Sequence, residues 1–224
     1  MPLQNTHTGK AQSYDLGRPA YPAAFYDWLY GKLELDRGAV IADIGAGTGT
    51  VTKDFLERGS RVVAVEPDDD MRRILAEKLS AFEHCTVLGN SAEDTGIPSD
   101  SIDLIFCGNA YHWFDRAKAI PEFRRILKDN NSTNVVIATL FKPQDMPAPF
   151  HTMTSREFDF IVDQSWSVHL SGHLSASFNP NPGDDNYDDF VQTLRRYFDQ
   201  HSRDGLLKTE FRLSCTAGHV NDLI

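Results

Sequence analysis

Apolar residues along the chain fall into five short runs: Val40–Ile44, Arg61–Val65, Cys85–Leu88, Ile102–Cys107 and Val135–Phe141. Each is rich in Val and Ile with little polar alternation, the pattern of a strand buried on both faces of a parallel sheet. Between the runs, apolar positions recur at helical spacing. Val51, Phe55 and Leu56 follow the first; Met71, Ile74, Leu75 and Leu79 the second; Ile120, Phe123 and Leu127 the fourth. Strand alternating with helix predicts right-handed βαβ units and a doubly wound, mostly parallel α/β sheet with helices on both faces. Gly96 and Pro98 leave room only for a short helix between the third and fourth strands.

The flanking segments read differently. Tyr14–Tyr30 predicts an extended stretch and then a helix bearing Phe25, Trp28 and Leu29. Beyond the fifth run lies a Pro-rich loop (Pro143, Pro147, Pro149), and Thr154-Ser-Arg-Glu157 has the form of a capping box opening a short helix with Phe158, Ile161 and Val162 on one face. Phe178–Asp189 is a loop by composition. Phe190, Leu194, Tyr197 and Phe198 form one more helical stripe, and Lys208–Val220 predicts a C-terminal antiparallel strand or hairpin. Neither an internal repeat nor a linker divides the chain, so a single domain over residues 1–224 is expected, with 14–35 as an N-terminal closing segment and 142–189 as a short lid.

Size and composition agree with that reading. With 224 residues, 41% of them hydrophobic and 24% charged, the chain can bury a core without disulfide or metal staples. Its net charge is −10, with no Lys/Arg cluster to offset it, which argues against a nucleic-acid partner. The apolar runs are too short for a membrane helix, and Met1–Lys10 is polar with no apolar signal-peptide core. Cys85, Cys107 and Cys215 form no CxxC motif, and free thiols fit a reducing, cytoplasmic setting.

Candidate chemistry concentrates in Val40-Ile-Ala-Asp-Ile-Gly-Ala-Gly-Thr-Gly-Thr50, where a buried strand runs into a glycine-rich turn and then a helix. Gly45 and Gly47 permit positive φ and close approach of a ligand to the backbone, and N–H groups at the helix start can hold a polar group. The spacing is GxGxG, neither the GxGxxG of a dinucleotide pyrophosphate loop nor a nucleoside triphosphate loop. Asp43, at the strand end, would repel a pyrophosphate and suit an ammonium group. The second strand ends in Glu66, 17 residues beyond Gly49. A carboxylate there can accept both hydroxyls of a ribose, or it can be a surface residue ending a strand; its distance from the glycine turn favours the ribose.

These motifs resemble the class I S-adenosylmethionine-dependent methyltransferases. Leu16-Gly-Arg-Pro-Ala-Tyr-Pro22, Gly89-Asn-Ser-Ala-Glu93, Ala110-Tyr-His-Trp-Phe-Asp115 and the terminal Phe190–Val220 segment are similar to their type 11 small-molecule branch. The resemblance covers nearly the whole chain from Tyr14 onward and implies a Rossmann-like sheet. It implies S-adenosyl-L-methionine as cofactor and S-adenosyl-L-homocysteine as product. Asp43, Gly45, Ala46 and Gly47 would hold the methionine end. Glu66, with Pro67 beside it, would hold the ribose. Met71 would pack on the adenine, although a core role fits it equally. Ser91, Ala92 and Glu93 would line the adenine edge. Asn109 and Ala110 would lie beneath the sulfonium, and Tyr14 and Arg18 would belong to a segment that closes over the cofactor.

Tyr111, His112 and Trp113 follow the fourth strand and are expected near the acceptor, with Trp166 as a further substrate residue. His112 is the candidate general base for an acceptor O–H or N–H; the alternative is a residue that packs and hydrogen-bonds a neighbouring loop. Trp113 reads as pocket wall. His169 and His173 stand four apart with no third ligand placed, so no metal site is expected. Asp68–Asp70 reads as a favourable helix start, and Asp184–Asp189 as a solvated loop and helix start.

Cys107-Gly-Asn-Ala110 stands where adenine and glutamine amino-methyltransferases carry Asn-Pro-Pro-Tyr, and the region between Phe141 and Phe190 is shorter than in many relatives. The expected function is methyl transfer to an O, N or C atom of a small molecule by in-line displacement in an apolar pocket. The alternatives are a protein that binds S-adenosylmethionine without transferring methyl (a cyclase, an isomerase or a binding module) and a nicotinamide oxidoreductase. The glycine spacing and Asp43 disfavour the last. The expected state is a monomer or homodimer.

Overall fold

A computed structural model describes residues 9–36, 38–128, 133–140 and 148–224. Phe141, Pro143 and Pro147, the beginning of the expected lid, and most of the polar N-terminus lie outside the described residues. The chain forms two compact units: Met1–Ala20 with Asp159–Phe211, and Tyr21–Phe158 with Arg212–Ile224.

The larger unit, Tyr21–Phe158 with Arg212–Ile224, contains the expected βα alternation. In chain order its elements are helix α2 (Ala23–Leu33), strand β1 (Val40–Ile44), α3 (Thr50–Glu57), β2 (Arg61–Val65), α4 (Asp69–Leu79), β3 (Cys85–Leu88), β4 (Leu104–Gly108), α5 (Arg116–Ile126) and β5 (Val135–Thr139). Strands β6 (Thr154–Gln164) and β7 (Leu207–Gly218) each cross from one unit to the other. The strand order is β3-β2-β1-β4-β5-β7-β6. Strands β1 to β5 pair in parallel, and β7 runs antiparallel to β5, with Val135 opposite Gly218 and Thr139 opposite Ser214. The chain builds outward from β1 to β3, then returns to the centre to add β4 and β5. The order therefore reverses between β1 and β4, which makes that junction the switch point.

Alternation along β4 divides the core. Ile105 and Cys107 join Phe123 and Ile126 of α5 on one face. Phe106 points to the other face, its ring 6.0 Å from Phe25 of α2 and 5.2 Å from Phe55 of α3. Burying these strands on both faces explains their continuous apolar character.

The smaller unit holds α1 (Ala11–Gly17), α6 (Trp166–Leu174) and α7 (Tyr187–His201). Two expectations are corrected. Thr154–Glu157 opens no helix; it begins β6, in which Phe158 and Gln164 are buried and residues between them alternate toward solvent. The apparent capping box precedes a run of Phe158, Phe160, Ile161 and Val162, residues that fit a pleated surface, and period-two burial outweighs the local cap signal. The segment around Tyr14 is helical, not extended. Ala11 and Gly17 are the buried residues of α1, and both packing partner and helix belong to contacts made far along the chain. Among the described residues, no helix lies between β3 and β4, and Ile102 makes an isolated bridge to Leu127 ahead of β4.

Candidate cofactor site

Asp43, Gly45 to Gly49, Glu66 and Asn109 to Trp113 lie in one unit, at the C-terminal ends of β1, β2 and β4. Parallel register puts them there: Asp43 is opposite both Ala64 and Phe106. The glycine turn leaves β1 by donating the N–H groups of Gly45 and Ala46 to Val65 O, at 2.8 and 3.1 Å. Gly45 has φ +75°, and a Cβ there would come within 2.5 Å of the Ala110 Cβ. Only glycine lets the turn pass this close to the segment after β4.

Asp43 is 2% exposed, and Thr52 Oγ1 donates to its Oδ2 at 2.6 Å. Burial pushes its carboxyl up to about 7; the Thr52 hydrogen bond opposes this and nearby Glu66 adds to it. Glu66 is 7% exposed. Its Oε2 accepts the Gly47 N–H at 2.8 Å and its Oε1 accepts the Asp68 N–H at 2.9 Å. Burial raises the Glu66 carboxyl above its ordinary range against those two donors. Two buried carboxylates thus flank the turn, and the Arg72 guanidinium, which donates to Glu66 O at 2.9 Å, draws the Glu66 carboxyl back down against its burial. Such groups call for a cation or for hydroxyl donors.

Around them the remaining expected residues take these positions. Pro67 is followed by Asp68, whose side chain caps α4 by accepting from Asp70 and Met71 N–H at 3.0 Å each. Met71 is buried in the first turn of that helix. Ser91 bridges Asp94, Ala92 is buried, and the Glu93 carboxylate accepts the Asp115 N–H at 2.8 Å, tying this loop to the start of α5. Asn109 takes the left-handed conformation, φ +54°. Its Oδ1 accepts the Leu140 N–H at 2.9 Å and its Nδ2 donates to Tyr21 OH at 3.3 Å. A non-glycine residue at such a φ stores strain and depends on its surroundings to hold it.

Tyr111, His112 and Trp113 form a short 3-10 turn after β4. Tyr111 is buried and its hydroxyl donates to Ile224 O at 3.2 Å. His112 and Trp113 are exposed, their rings 4.8 Å apart. Although the residue is exposed, desolvation of its ring against the protein lowers the His112 pKa, which leaves the ring neutral and able to accept a proton at neutral pH. Tyr14, Arg18 and Trp166 belong to the smaller unit, where the Arg18 guanidinium lies 4.7 Å from the Tyr14 ring and Trp166 lies 5.6 Å from Phe198.

Two threonines escape motif reading. Thr52 stands one turn into α3 and holds Asp43. Thr48, 1% exposed within the turn, has an Oγ1 with no hydrogen-bond partner among the described residues. Neither hydroxyl carries a motif signal; burial beside Asp43 and within the turn reveals them.

The GxGxG turn and the two strand-end carboxylates thus sit together at the switch point of a doubly wound α/β sheet. A family model described as a methyltransferase domain matches residues 42–132. An uncharacterized methyltransferase of Geobacillus kaustophilus is 30% identical over 189 residues, covering 75% of this chain and 86% of that one. An uncharacterized methyltransferase of Mycobacterium tuberculosis is 36% identical over 124 residues, covering 55% of this chain and 48% of that one. The chain therefore spans about half the length of the mycobacterial relatives it matches. Phosphoethanolamine N-methyltransferase 2 of Haemonchus contortus, solved with phosphomonomethylethanolamine and S-adenosylhomocysteine, shares the fold. Its TM-score is 0.58 at 14% identity, covering 97% of this chain and 58% of that one. The chain belongs to the class I S-adenosylmethionine-dependent methyltransferases. No helix among the described residues is long and apolar enough to cross a membrane.

Proposed function

We propose that this chain binds S-adenosyl-L-methionine at the β1–β4 switch point and catalyses methyl transfer to an O, N or C atom of a small molecule, releasing S-adenosyl-L-homocysteine. The observation that carries this reading is the pair of buried carboxylates, Asp43 and Glu66, on either side of the glycine turn. An ammonium group answers Asp43, and a vicinal diol answers the lone pairs left on Glu66. The buried, unpartnered Thr48 hydroxyl adds a polar group inside the turn. A pyrophosphate would meet the Asp43 charge instead, so a nicotinamide dinucleotide fits poorly.

The bound cofactor supplies an electrophilic methyl group; the chain's residues supply position and a dry surround. Asp43 and the Gly45–Gly47 backbone fix the amino-acid end, Glu66 fixes the ribose, and Met71 with Ser91 to Glu93 lines the base. Asn109, held at both ends of its amide, presents Ala110 next to Gly45. Fixing donor and acceptor in line supplies most of the rate, because alignment replaces a costly encounter. The family's motifs assign Tyr14 and Arg18 to the cofactor, and Trp113 and Trp166 to the acceptor. His112 takes the proton from an acceptor O–H or N–H.

Turnover is tested by S-adenosylhomocysteine release across carboxylic acids, phenols and amines. His112→Gln lowers kcat on the best O–H or N–H acceptor about a hundredfold while leaving cofactor affinity within about twofold. Tight cofactor binding with no S-adenosylhomocysteine released from any acceptor class overturns methyl transfer. A His112→Gln loss under about threefold overturns the base and leaves His112 as wall.

A further inference from the structure

Helix α1 is seven residues long, shorter than a helix that holds by itself in water. Its order comes from α6, in the same unit, through contacts at both of its ends. At the C-terminal end the backbones of Gly17 and Gly172 touch. A Cβ on Gly17 would overlap the Gly172 nitrogen, and a Cβ on Gly172 would lie 3.1 Å from Gly17 O. At the N-terminal end Lys10 is 6% exposed. Its Nζ donates to Ala176 O at 2.8 Å and to Asn179 O at 2.7 Å, in the turns that follow α6. The Asn179 amide in turn donates to His173 O at 2.7 Å, and Ser175 Oγ donates to Gly172 O at 2.7 Å. The ammonium thus joins the network that finishes α6, where a cation is favoured by the helix dipole.

We infer that Lys10 and Gly172 are positioning residues: α6 holds α1, and the two helices order and disorder as one element. Tyr14 and Arg18 are on or directly after α1, and Trp166 opens α6. On the assignments under Proposed function, cofactor-side and acceptor-side residues therefore share one element. Cofactor that orders α1 orders α6 with it.

Site-resolved amide exchange of the full chain tests this. In the free wild type, the Tyr14 and Arg18 amides, bonded to Lys10 O and Tyr14 O, show protection within about threefold of the His169 and Ser175 amides of α6. Lys10→Met and Gly172→Val each speed exchange at Tyr14 and Arg18 by about tenfold, Lys10→Arg restores it, and the Gly45 and Asn109 amides keep wild-type protection. Unchanged exchange at Tyr14 and Arg18 in both loosening variants overturns the inference. So does a free wild type in which α6 is protected and α1 is not. If Gly172→Val fails to fold, Lys10→Met against Lys10→Arg decides the matter alone. Saturating S-adenosylhomocysteine then separates the two claims. Slower exchange in both helices supports the coupling. Binding that leaves both unchanged, while Lys10→Met still loosens α1, overturns the cofactor-side role of Tyr14 and Arg18 and with it the coupling, leaving the tie between helices standing.

Discussion

Glu66 Oε2 accepts the N–H of Gly47 at 2.8 Å, so the acidic end of β2 holds the glycine turn that leaves β1. Its other oxygen accepts from Asp68 at 2.9 Å. One carboxylate thus shapes the turn and still keeps lone pairs for a ligand. An amide cannot do both. Glu66→Gln turns an NH2 group toward one of the two N–H donors, so it speeds exchange of the Gly47 or the Asp68 amide by about tenfold without global unfolding. Site-resolved exchange checks this; unchanged protection at both amides contradicts it.

Asp43 titrates near 7 in the folded chain and near 3.8 when unfolded. A carboxyl raised on folding adds stability at low pH that is lost as pH rises through the folded value. Denaturant melts should show wild type losing stability between about pH 4 and about pH 7 relative to Asp43→Asn, whose amide still accepts from Thr52. Cofactor affinity runs the other way: it rises over that window in wild type and is weak and flat in Asp43→Asn. Parallel pH profiles in the two proteins would contradict the Asp43 role.

Gly45 and Gly31 give opposite outcomes for one substitution. Gly45→Ala combines a left-handed φ with an overlap on Ala110, and it destabilises by about 1–3 kcal/mol. Gly31 lies within α2 with nothing within 4 Å of an added Cβ. Gly31→Ala stabilises by about 0.5–1 kcal/mol through helix propensity. Paired thermal or urea melts read both signs.

Glu122 of α5 fastens the loop after β3. It accepts from Thr95 N at 2.9 Å and Thr95 Oγ1 at 2.6 Å, and Arg125 grips both its oxygens at 2.6 and 2.7 Å. The Arg125 hydrogen bonds, with those from Thr95, hold its carboxyl down to about 2 against 4.5 unfolded. A carboxyl lowered on folding adds stability that is present above about 4.5 and lost as pH falls toward about 2. Glu122→Gln costs about 2 kcal/mol at neutral pH and little near pH 2, read by urea melts across that range. An equal cost at both ends would show that the network contributes by shape and not by charge.

The sheet was legible because burial on both faces writes the inner parallel strands as continuous apolar runs; Val40–Ile44 and Arg61–Val65 match element for element, and so does the edge run Cys85–Leu88, though its residues are only half-buried or exposed. The turn was legible because Gly45, Gly47 and Gly49 all take positive φ, which few other residues tolerate. β6 was not legible: its capping-box letters carry a local signal, whereas its strand character comes from lying beside β7 in the sheet. α1 was not legible for the same reason, its order coming from Gly172 and from carbonyls at Ala176 and Asn179 far along the chain. The division into two units left no linker to read, because two of its boundaries fall inside β6 and β7. Thr48 and Thr52 carry no motif letter, and only their burial beside Asp43 and the turn reveals them.

Calorimetric titration of wild type and Glu66→Ala with S-adenosylmethionine, S-adenosylhomocysteine and NAD decides whether the glycine turn and Glu66 hold the cofactor. Wild type is expected to bind the first two at micromolar affinity, Glu66→Ala to bind them at least tens-fold more weakly, and neither to bind NAD. NAD binding by wild type, or S-adenosylhomocysteine bound equally by both proteins, would contradict this.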